Sequence, residues 1–270
     1  MDDSSEEPRS RPLSFLGAAG WTLIVLSLLQ LSLAITESAH PGAVTDLVSI
    51  ATCTVLAHSI VIFAILRLHE PNGSIRAVLA LKPASPAFFA LAAAVGAGLA
   101  PGAIRLNALL QEKYPPSPED AEKLEKIFAT NTLGHRVAVF VVLVLVLPAC
   151  TEFLFRGALF TLLKRGRRTD IVIVATSAYH ALMGTVTAPG MASTLALALT
   201  LGWMRALTGS VLPSLLCSMV FFGVEVVPYA LGHDEVHWRV PMIAGGLGLA
   251  AIALVAMAAL GRRSAPSFED

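Results

Sequence analysis

About eight apolar stretches, each close to the length of a membrane-spanning helix, dominate this 270-residue sequence and restrict how it can fold. A helix of about 20 apolar residues crosses the hydrocarbon core of a bilayer. Inside that core the backbone must be hydrogen-bonded within the protein, which favours helices. We therefore predict an all-α fold, a polytopic bundle of about eight transmembrane helices. The stretches are residues 14–36, 46–67, 85–109, 136–162, 170–187, 190–207, 210–230 and 239–261.

The composition agrees with a membrane protein. Charged residues make up 14% of the chain, whereas soluble domains contain about 25%. The formal net charge is zero, so no overall positive field attracts nucleic acid. We predict membrane lipids as surroundings and no nucleic-acid partner. The three cysteines (Cys53, Cys150 and Cys217) lie in apolar stretches without paired spacing, which is typical of buried small side chains.

One membrane domain is predicted for residues 14–261, between polar tails at 1–13 and 262–270. With both termini in the cytoplasm, most of the Lys and Arg residues outside the apolar stretches fall on the cytoplasmic side, as the positive-inside rule requires. The basic run 164–168 contributes much of this excess, and Arg205 is counted with it. We expect the inner membrane of a bacterium as the location.

Two charged residues interrupt the fourth apolar stretch. Glu152 and Arg156 are four residues apart, so they share one helix face and can pair. A charged side chain at the bilayer centre costs about 2.5–3.5 kcal/mol on insertion scales. The pair must therefore face protein or a wet cavity. It is either a functional site or a buried ion pair that fixes helix packing.

An imidazole in a later stretch gives the carboxylate a chemical partner. His180 lies in the fifth stretch, between Tyr179 and Ala181. A carboxylate can accept a proton from water while an imidazole positions or relays it, so Glu152 and His180 form a candidate catalytic pair. The alternative is that His180 is a core histidine that bonds a backbone carbonyl or Ser177.

Two further ionisable residues lie within apolar stretches. We assign His58, in the second stretch, a structural role. Glu225 follows Ser218 by seven residues, so both should lie on one helix face. Glu225 is either a replacement acid for the site or a residue at the edge of the membrane.

A catalytic metal needs about three protein ligands around an open position. The sequence contains no HExxH or comparable spacing. Glu152, His180 and one of His58 or Glu225 would have to be assembled by the fold alone. We therefore predict no metal and no other cofactor.

The segment from Thr151 to Leu163, TEFLFRGALFTLL, resembles the EExxxR motif of the CPBP family, which contains type II CAAX prenyl endopeptidases and Abi-type membrane proteases. The Leu81-Lys82-Pro83 lead-in, the stretch with His180 and the segment 208–213 follow in the same order. The resemblance covers roughly residues 75–230. It implies a multi-helix membrane endopeptidase of the glutamic type that cleaves a membrane-anchored or lipid-modified peptide.

In this family the first motif Glu activates water with the help of a His on the next conserved helix, and a second His and an Asn stabilise the oxyanion. By resemblance, Glu152 matches the second motif Glu, Arg156 the motif Arg and His180 the first His. These three residues are the candidate site that the resemblance supports.

Four positions depart from the family pattern. Thr151 stands at the first motif Glu, Ser218 at the second His, and Phe221 and Phe222 at the Asn. A threonine hydroxyl is no general base at neutral pH, and loss of one oxyanion donor costs about 100–1,000-fold in rate. Glu152 cannot take the direction of its neighbour, because adjacent helical residues point about 100° apart.

Three functions follow from these residues. The first is an intramembrane endopeptidase with a divergent site, carried by Glu152, His180 and Arg156, with Glu225 as a candidate replacement acid. The second is an inactive relative that binds the same kind of substrate or a partner membrane protein. The third is a small proton-coupled transporter in which Glu152 and His180 form a relay.

Overall fold

The computed structural model describes residues 12–128, 132–184, 188–231 and 238–264. Within these ranges the chain is helical and contains no strand. The helices are α1 (Phe15–Ala39), α2 (Leu47–His69), α3 (Ile75–Val78), α4 (Pro86–Lys113), α5 (Pro118–Phe128), α6 (Leu133–Leu163), α7 (Thr169–Gly184), α8 (Ala188–Thr208), α9 (Leu212–Ala230) and α10 (Val240–Ser264).

Seven of these helices are long and apolar enough to cross a membrane: α1, α2, α4, α6, α8, α9 and α10. The predicted helix bundle is confirmed, and about eight spans is near this number. The fifth predicted stretch, 170–187, corresponds to α7, which is apolar but only 16 residues long. Residues 1–11 and 265–270 of the predicted tails lie outside the described residues, and α10 continues through 262–264.

Polar side chains fix where several helices begin. The Ser14 hydroxyl accepts a hydrogen bond from the Gly17 N–H at 2.9 Å, ahead of α1. The Asp46 carboxylate accepts one from the Ser49 N–H at 2.8 Å, ahead of α2. Both bonds satisfy N–H groups that have no partner inside the helix. The hydrogen bond from the Ser49 N–H also holds the pKa of Asp46 below its ordinary value.

Helix α6 is continuous over 31 residues but irregular. Two segments, Val141–Val146 and Phe153–Leu159, have π-helical turns. Pro148 lies between them and supplies no N–H to the helix. A π turn shifts the following side chains around the helix axis and is frequent at functional sites. The second π segment contains Arg156, so the irregularity sets the direction of the buried cation.

Helices α4 and α10 approach each other closely because glycines face one another at their crossing. A Cβ atom at Gly246 would lie only 2.8 Å from the backbone oxygen of Gly98. Small residues allow such backbone approach between membrane helices, where close packing replaces the hydrophobic effect as the stabilising force. The crossing holds α10 against the rest of the bundle.

Gly157, next to Arg156, serves packing. A Cβ atom there would lie 3.1–3.2 Å from the Leu79 side chain and its Cα. Residues 79–82 are also held from the other side, because the Val211 N–H donates to the Ala80 carbonyl at 3.2 Å. The Ser210 hydroxyl donates to the Lys82 carbonyl at 2.6 Å. The glycine therefore lets the segment before α4 dock between α6 and the start of α9.

The basic run 164–168 connects helix ends. Arg165 forms an ion pair with Glu70 at the end of α2. Arg167 donates to the Leu13 carbonyl at 2.6 Å, and its guanidinium lies over the Phe15 ring. This part of the run therefore contributes to tertiary structure as well as to charge asymmetry.

The glycine crossing gives a stability prediction with a neighbour as control. Gly246→Ala should lower the midpoint of thermal unfolding in detergent, because overpacking against a backbone atom costs about 1–3 kcal/mol. Gly245→Ala should leave it unchanged or raise it, since no atom lies within 4 Å of that Cβ position. Equal midpoints for the two purified variants would contradict the described crossing.

Candidate functional site

Two helices bring Glu152, Arg156 and His180 together inside the bundle. Glu152 and Arg156 on α6 are 0% exposed, and His180 on α7 is 6% exposed. Arg156 Nη1 lies 3.4 Å from Glu152 Oε1 and also contacts His180 Nδ1. The carboxylate and the imidazole therefore meet at one guanidinium nitrogen. We call these three side chains the Arg156 cluster.

The backbone of α8 takes part in this cluster. Arg156 Nη2 donates to the Ala198 carbonyl at 2.6 Å. The guanidinium thus joins α6, α7 and α8. Its partners are a carboxylate, a neutral imidazole and a backbone carbonyl. Only Glu152 is an anion, so the attraction between Glu152 and Arg156 is the main offset to burying the cation.

Arg205 on α8 is an additional buried cation that sequence reasoning did not assign to the site. We counted it among the charges on the cytoplasmic side, and it is 6% exposed. Its Nε donates to the Arg156 carbonyl at 3.0 Å and its Nη2 to the Thr161 hydroxyl at 3.2 Å. The guanidinium also lies over the Phe160 ring, 5.1 Å from its centroid.

The reason for this burial is the π segment of α6. In such a segment the regular hydrogen-bond ladder is interrupted, and the Arg156 carbonyl accepts the bond from Arg205. The only signal in the sequence was an arginine just before the end of an apolar stretch, which is equally typical of a surface anchor.

The contact with Arg156 fixes the protonation of His180. A guanidinium has N–H donors and no acceptor, so His180 Nδ1 accepts the bond and carries no proton. The neutral imidazole then has its proton on Nε2 and is a donor there. The ring stacks on Phe155, with centroids 5.0 Å apart and an angle of 9° between the planes. Both contacts hold the imidazole in one orientation.

The Glu152 carboxylate has open hydrogen-bonding capacity. Ser214 is its polar neighbour on α9, but the Ser214 hydroxyl donates to the Val211 carbonyl at 2.8 Å. Buried polar atoms usually have hydrogen-bond partners, so open ones call for an explanation such as a functional role. Buried atoms without a hydrogen-bond partner among the described residues include Glu152 Oε1 and Oε2, Arg156 Nε, Ser177 Oγ, Ser218 Oγ and His58 Nε2.

The positions that depart from the family motif are filled as follows. The Thr151 hydroxyl donates to the carbonyls of its own helix, to Leu147 at 3.0 Å and Pro148 at 3.2 Å. Phe221 is 7% exposed and packs edge-to-face with Phe222, with centroids 5.3 Å apart. Hydrocarbon thus occupies the position expected for the asparagine, and Thr151 contributes no free polar group.

Glu225 is not brought to the Arg156 cluster. Its side chain is exposed, whereas Ser218, seven residues earlier on α9, is 1% exposed. The two therefore do not share an environment, although an ideal helix would place them on one face. Glu225 lies on the outer side of α9 near its C-terminal end, where Val227 is also exposed while Val226 between them is buried.

His58 on α2 is 2% exposed, and its Nδ1 bonds the Thr54 carbonyl at 2.8 Å. That bond is typical of the structural role we assigned to it. Across the described ranges, no group of three or more His, Cys, Asp or Glu side chains is arranged to hold a metal ion. The expectation of no cofactor stays a prediction.

Comparison with known proteins identifies the part of the chain that contains this cluster. Residues 133–224 match the family model of the Rce1-like type II CAAX prenyl endopeptidases. This match confirms the resemblance to the CPBP family, over a shorter range than the predicted 75–230. It includes Glu152, Arg156, His180 and Ser218 and ends just before Glu225. Neither the search of curated proteins nor that of solved structures gave a match.

Arg156 has hydrogen-bond partners besides Glu152, whereas Glu152 has Arg156 as its only ion-pair partner among the described residues. Removing each charge should therefore lower the stability by a different amount. Arg156→Met should cost about 3–5 kcal/mol of unfolding free energy, because it leaves Glu152 buried without a counter-charge. Glu152→Gln should cost less, since Arg156 keeps its bonds to His180 and Ala198. The double variant should be more stable than Arg156→Met alone. Unfolding midpoints of the purified proteins in detergent measure the order.

Thr151→Val is the matched control, because it removes a hydroxyl one position from Glu152 that bonds only its own helix. Its cost should be about 1 kcal/mol or less. If the double variant were as unstable as the sum of the two single changes, the pair would not be coupled, and the interpretation of the cluster as an ion pair would be wrong.

Proposed function

We propose that the chain is an intramembrane endopeptidase with a rebuilt site, in which Glu152 is the base, His180 the hydrogen-bond donor and Arg156 the residue that positions both. The supporting observation is that a carboxylate from α6 and an imidazole from α7 meet at one guanidinium nitrogen. The match to Rce1-like endopeptidases over the same segment supports this reaction class.

The hydrolysis follows from the protonation states of these groups. Glu152, charged beside Arg156, accepts a proton from water, and the water oxygen forms a bond to the carbonyl carbon of the peptide. The carbonyl electron pair moves to its oxygen, which accepts a hydrogen bond from His180 Nε2–H. Glu152 then gives the proton to the leaving nitrogen as the C–N bond breaks.

This assignment differs from the family pattern in a way that the side chains favour. The Thr151 hydroxyl is bonded to its own helix, whereas both oxygens of Glu152 are open. The proton on His180 Nε2 supplies a donor where Phe221 and Phe222 supply none. The substrate class we propose, a membrane-anchored or lipid-modified peptide, rests on the resemblance alone.

A second candidate is an inactive relative that binds such a peptide or a partner membrane protein. It is favoured by the complete burial of Glu152 and Arg156 and by the packing of Phe221 into the core. In that case the Arg156 cluster is a structural junction of three helices.

We also propose that the protein lies in the inner membrane of a bacterium with both termini in the cytoplasm. Both termini on one side require an even number of crossings, so α7 must cross together with the seven long helices. Its 16 residues span about 24 Å, less than the average hydrocarbon thickness of about 30 Å. Local thinning of the bilayer around α7 would accommodate the difference.

The proteolytic function predicts a loss of specific protein termini. Glu152→Gln and His180→Ala should each remove the same set of membrane-protein termini that the wild type generates. Loss of a general base or of an oxyanion donor lowers rates by about 100-fold or more. Quantitative terminal-peptide proteomics of membranes from otherwise identical strains measures this, with expression levels matched.

Glu225→Gln is the control, since it removes an exposed carboxylate from the same membrane domain. It should leave the termini unchanged. If neither Glu152→Gln nor His180→Ala alters any terminus while deletion of the whole protein has a phenotype, hydrolysis is ruled out and the binding candidate remains.

The orientation predicts the behaviour of reporter fusions. A reporter fused after Ser264 and one inserted between Arg165 and Gly166 should both report the cytoplasm, whereas one within α5 should report the opposite side. A periplasmic signal after Ser264 would contradict an even number of crossings. Each site is tested with two reporters that are active on opposite sides of the membrane, so the two signals are compared at the same position.

A further inference from the structure

The His58 imidazole has one nitrogen that its structural role does not use. Nδ1 bonds the Thr54 carbonyl at 2.8 Å, and a carbonyl can only accept, so Nδ1 carries the proton. Nε2 therefore has a free lone pair. It is buried and has no hydrogen-bond partner among the described residues. A buried acceptor that is left open is a group with unused binding capacity.

His58 lies on the face of α2 that packs toward the Arg156 cluster. His58, Val61 and Ile65 share the buried face of α2. Val61 and Ile65 pack in one hydrophobic cluster with Phe155, which stacks on His180. Helix α2 also packs against the two parts of α6 that contain Glu152 and Phe155. The helices that carry the two imidazoles, α2 and α7, thus both pack against this part of α6.

The two imidazoles have complementary protonation. The Thr54 carbonyl makes His58 an acceptor at Nε2, whereas the Arg156 guanidinium makes His180 a donor at Nε2. One ring can therefore receive a hydrogen bond at Nε2, and the other can give one. This pair suits the proposed hydrolysis. The water molecule donates a hydrogen bond through each of its O–H groups, and the peptide carbonyl oxygen accepts one.

We infer that His58 is a further catalytic residue of the proposed endopeptidase: its Nε2 accepts one hydrogen bond from the nucleophilic water while Glu152 accepts the other. The inference rests on the proposed function. With both O–H bonds directed at acceptors, the water oxygen presents a lone pair to the carbonyl carbon. The transferred proton goes to Glu152 and then to the leaving nitrogen, and His58 remains neutral.

The protonation of the rings can be measured without a substrate. The probe is ¹⁵N-histidine in the full chain in lipid nanodiscs, with the His58 and His180 signals assigned from His58→Gln and His180→Gln variants. Nitrogen NMR should show a proton on Nδ1 of His58 and on Nε2 of His180. A proton on His58 Nε2, in the neutral ring or the imidazolium, would overturn the inference, because that nitrogen could not accept.

The catalytic contribution is measured on the protein termini that depend on Glu152. His58→Leu should lower their formation about 100-fold. His58→Gln should retain more of it, because the amide oxygen can accept a hydrogen bond near the position of Nε2. A purely structural histidine would not produce this order between variants of equal unfolding midpoint. His40→Leu is the control, since it removes an exposed imidazole.

The outcomes separate this inference from the function on which it rests. If termini depend on Glu152 but form normally in His58→Leu, the endopeptidase stands and the role of His58 is wrong. If no terminus depends on Glu152, the endopeptidase itself is wrong, and a catalytic role for His58 falls with it. A graded loss, from wild type through Gln to Leu, together with the expected tautomers, supports the inference.

Discussion

The guanidinium of Arg156 is the constraint on which the rest of the membrane domain depends. A cation in the apolar interior is tolerated only where its charge and its N–H groups have partners. Those partners come from three helices: Glu152 on α6, His180 on α7 and the Ala198 carbonyl on α8. Because each bond requires a particular distance, the cation fixes how these helices lie against one another.

The backbone of α6 is adapted to this cation. The π turn over Phe153–Leu159 interrupts the regular ladder, and Arg205 on α8 bonds the Arg156 carbonyl. The neighbouring Gly157 lets the segment around Leu79 pack on the helix. A buried charge, a π-helical segment and a glycine thus act together within the seven residues Phe153–Leu159.

The chemistry of the site depends on the same contacts. Arg156 pairs with Glu152 and places the proton of His180 on Nε2, so one residue contacts both the proposed acceptor and the proposed donor. His58 adds an acceptor with the opposite tautomer, set by the Thr54 carbonyl. The proposed hydrolysis therefore relies on groups that do not stand at the positions of the family's lost glutamate, histidine and asparagine.

The sequence by itself determined the helical membrane fold, the pairing of Glu152 with Arg156 and the resemblance to a family over residues 133–224, because hydrophobic runs, an i,i+4 spacing and a short motif are local properties of a chain. Only the tertiary structure decided that His180 meets Arg156, that Arg205 is buried and that Glu225 is exposed. These outcomes depend on how helices distant in sequence rotate and cross. That geometry is set by close packing and by partners for buried charges, which one helix cannot reveal.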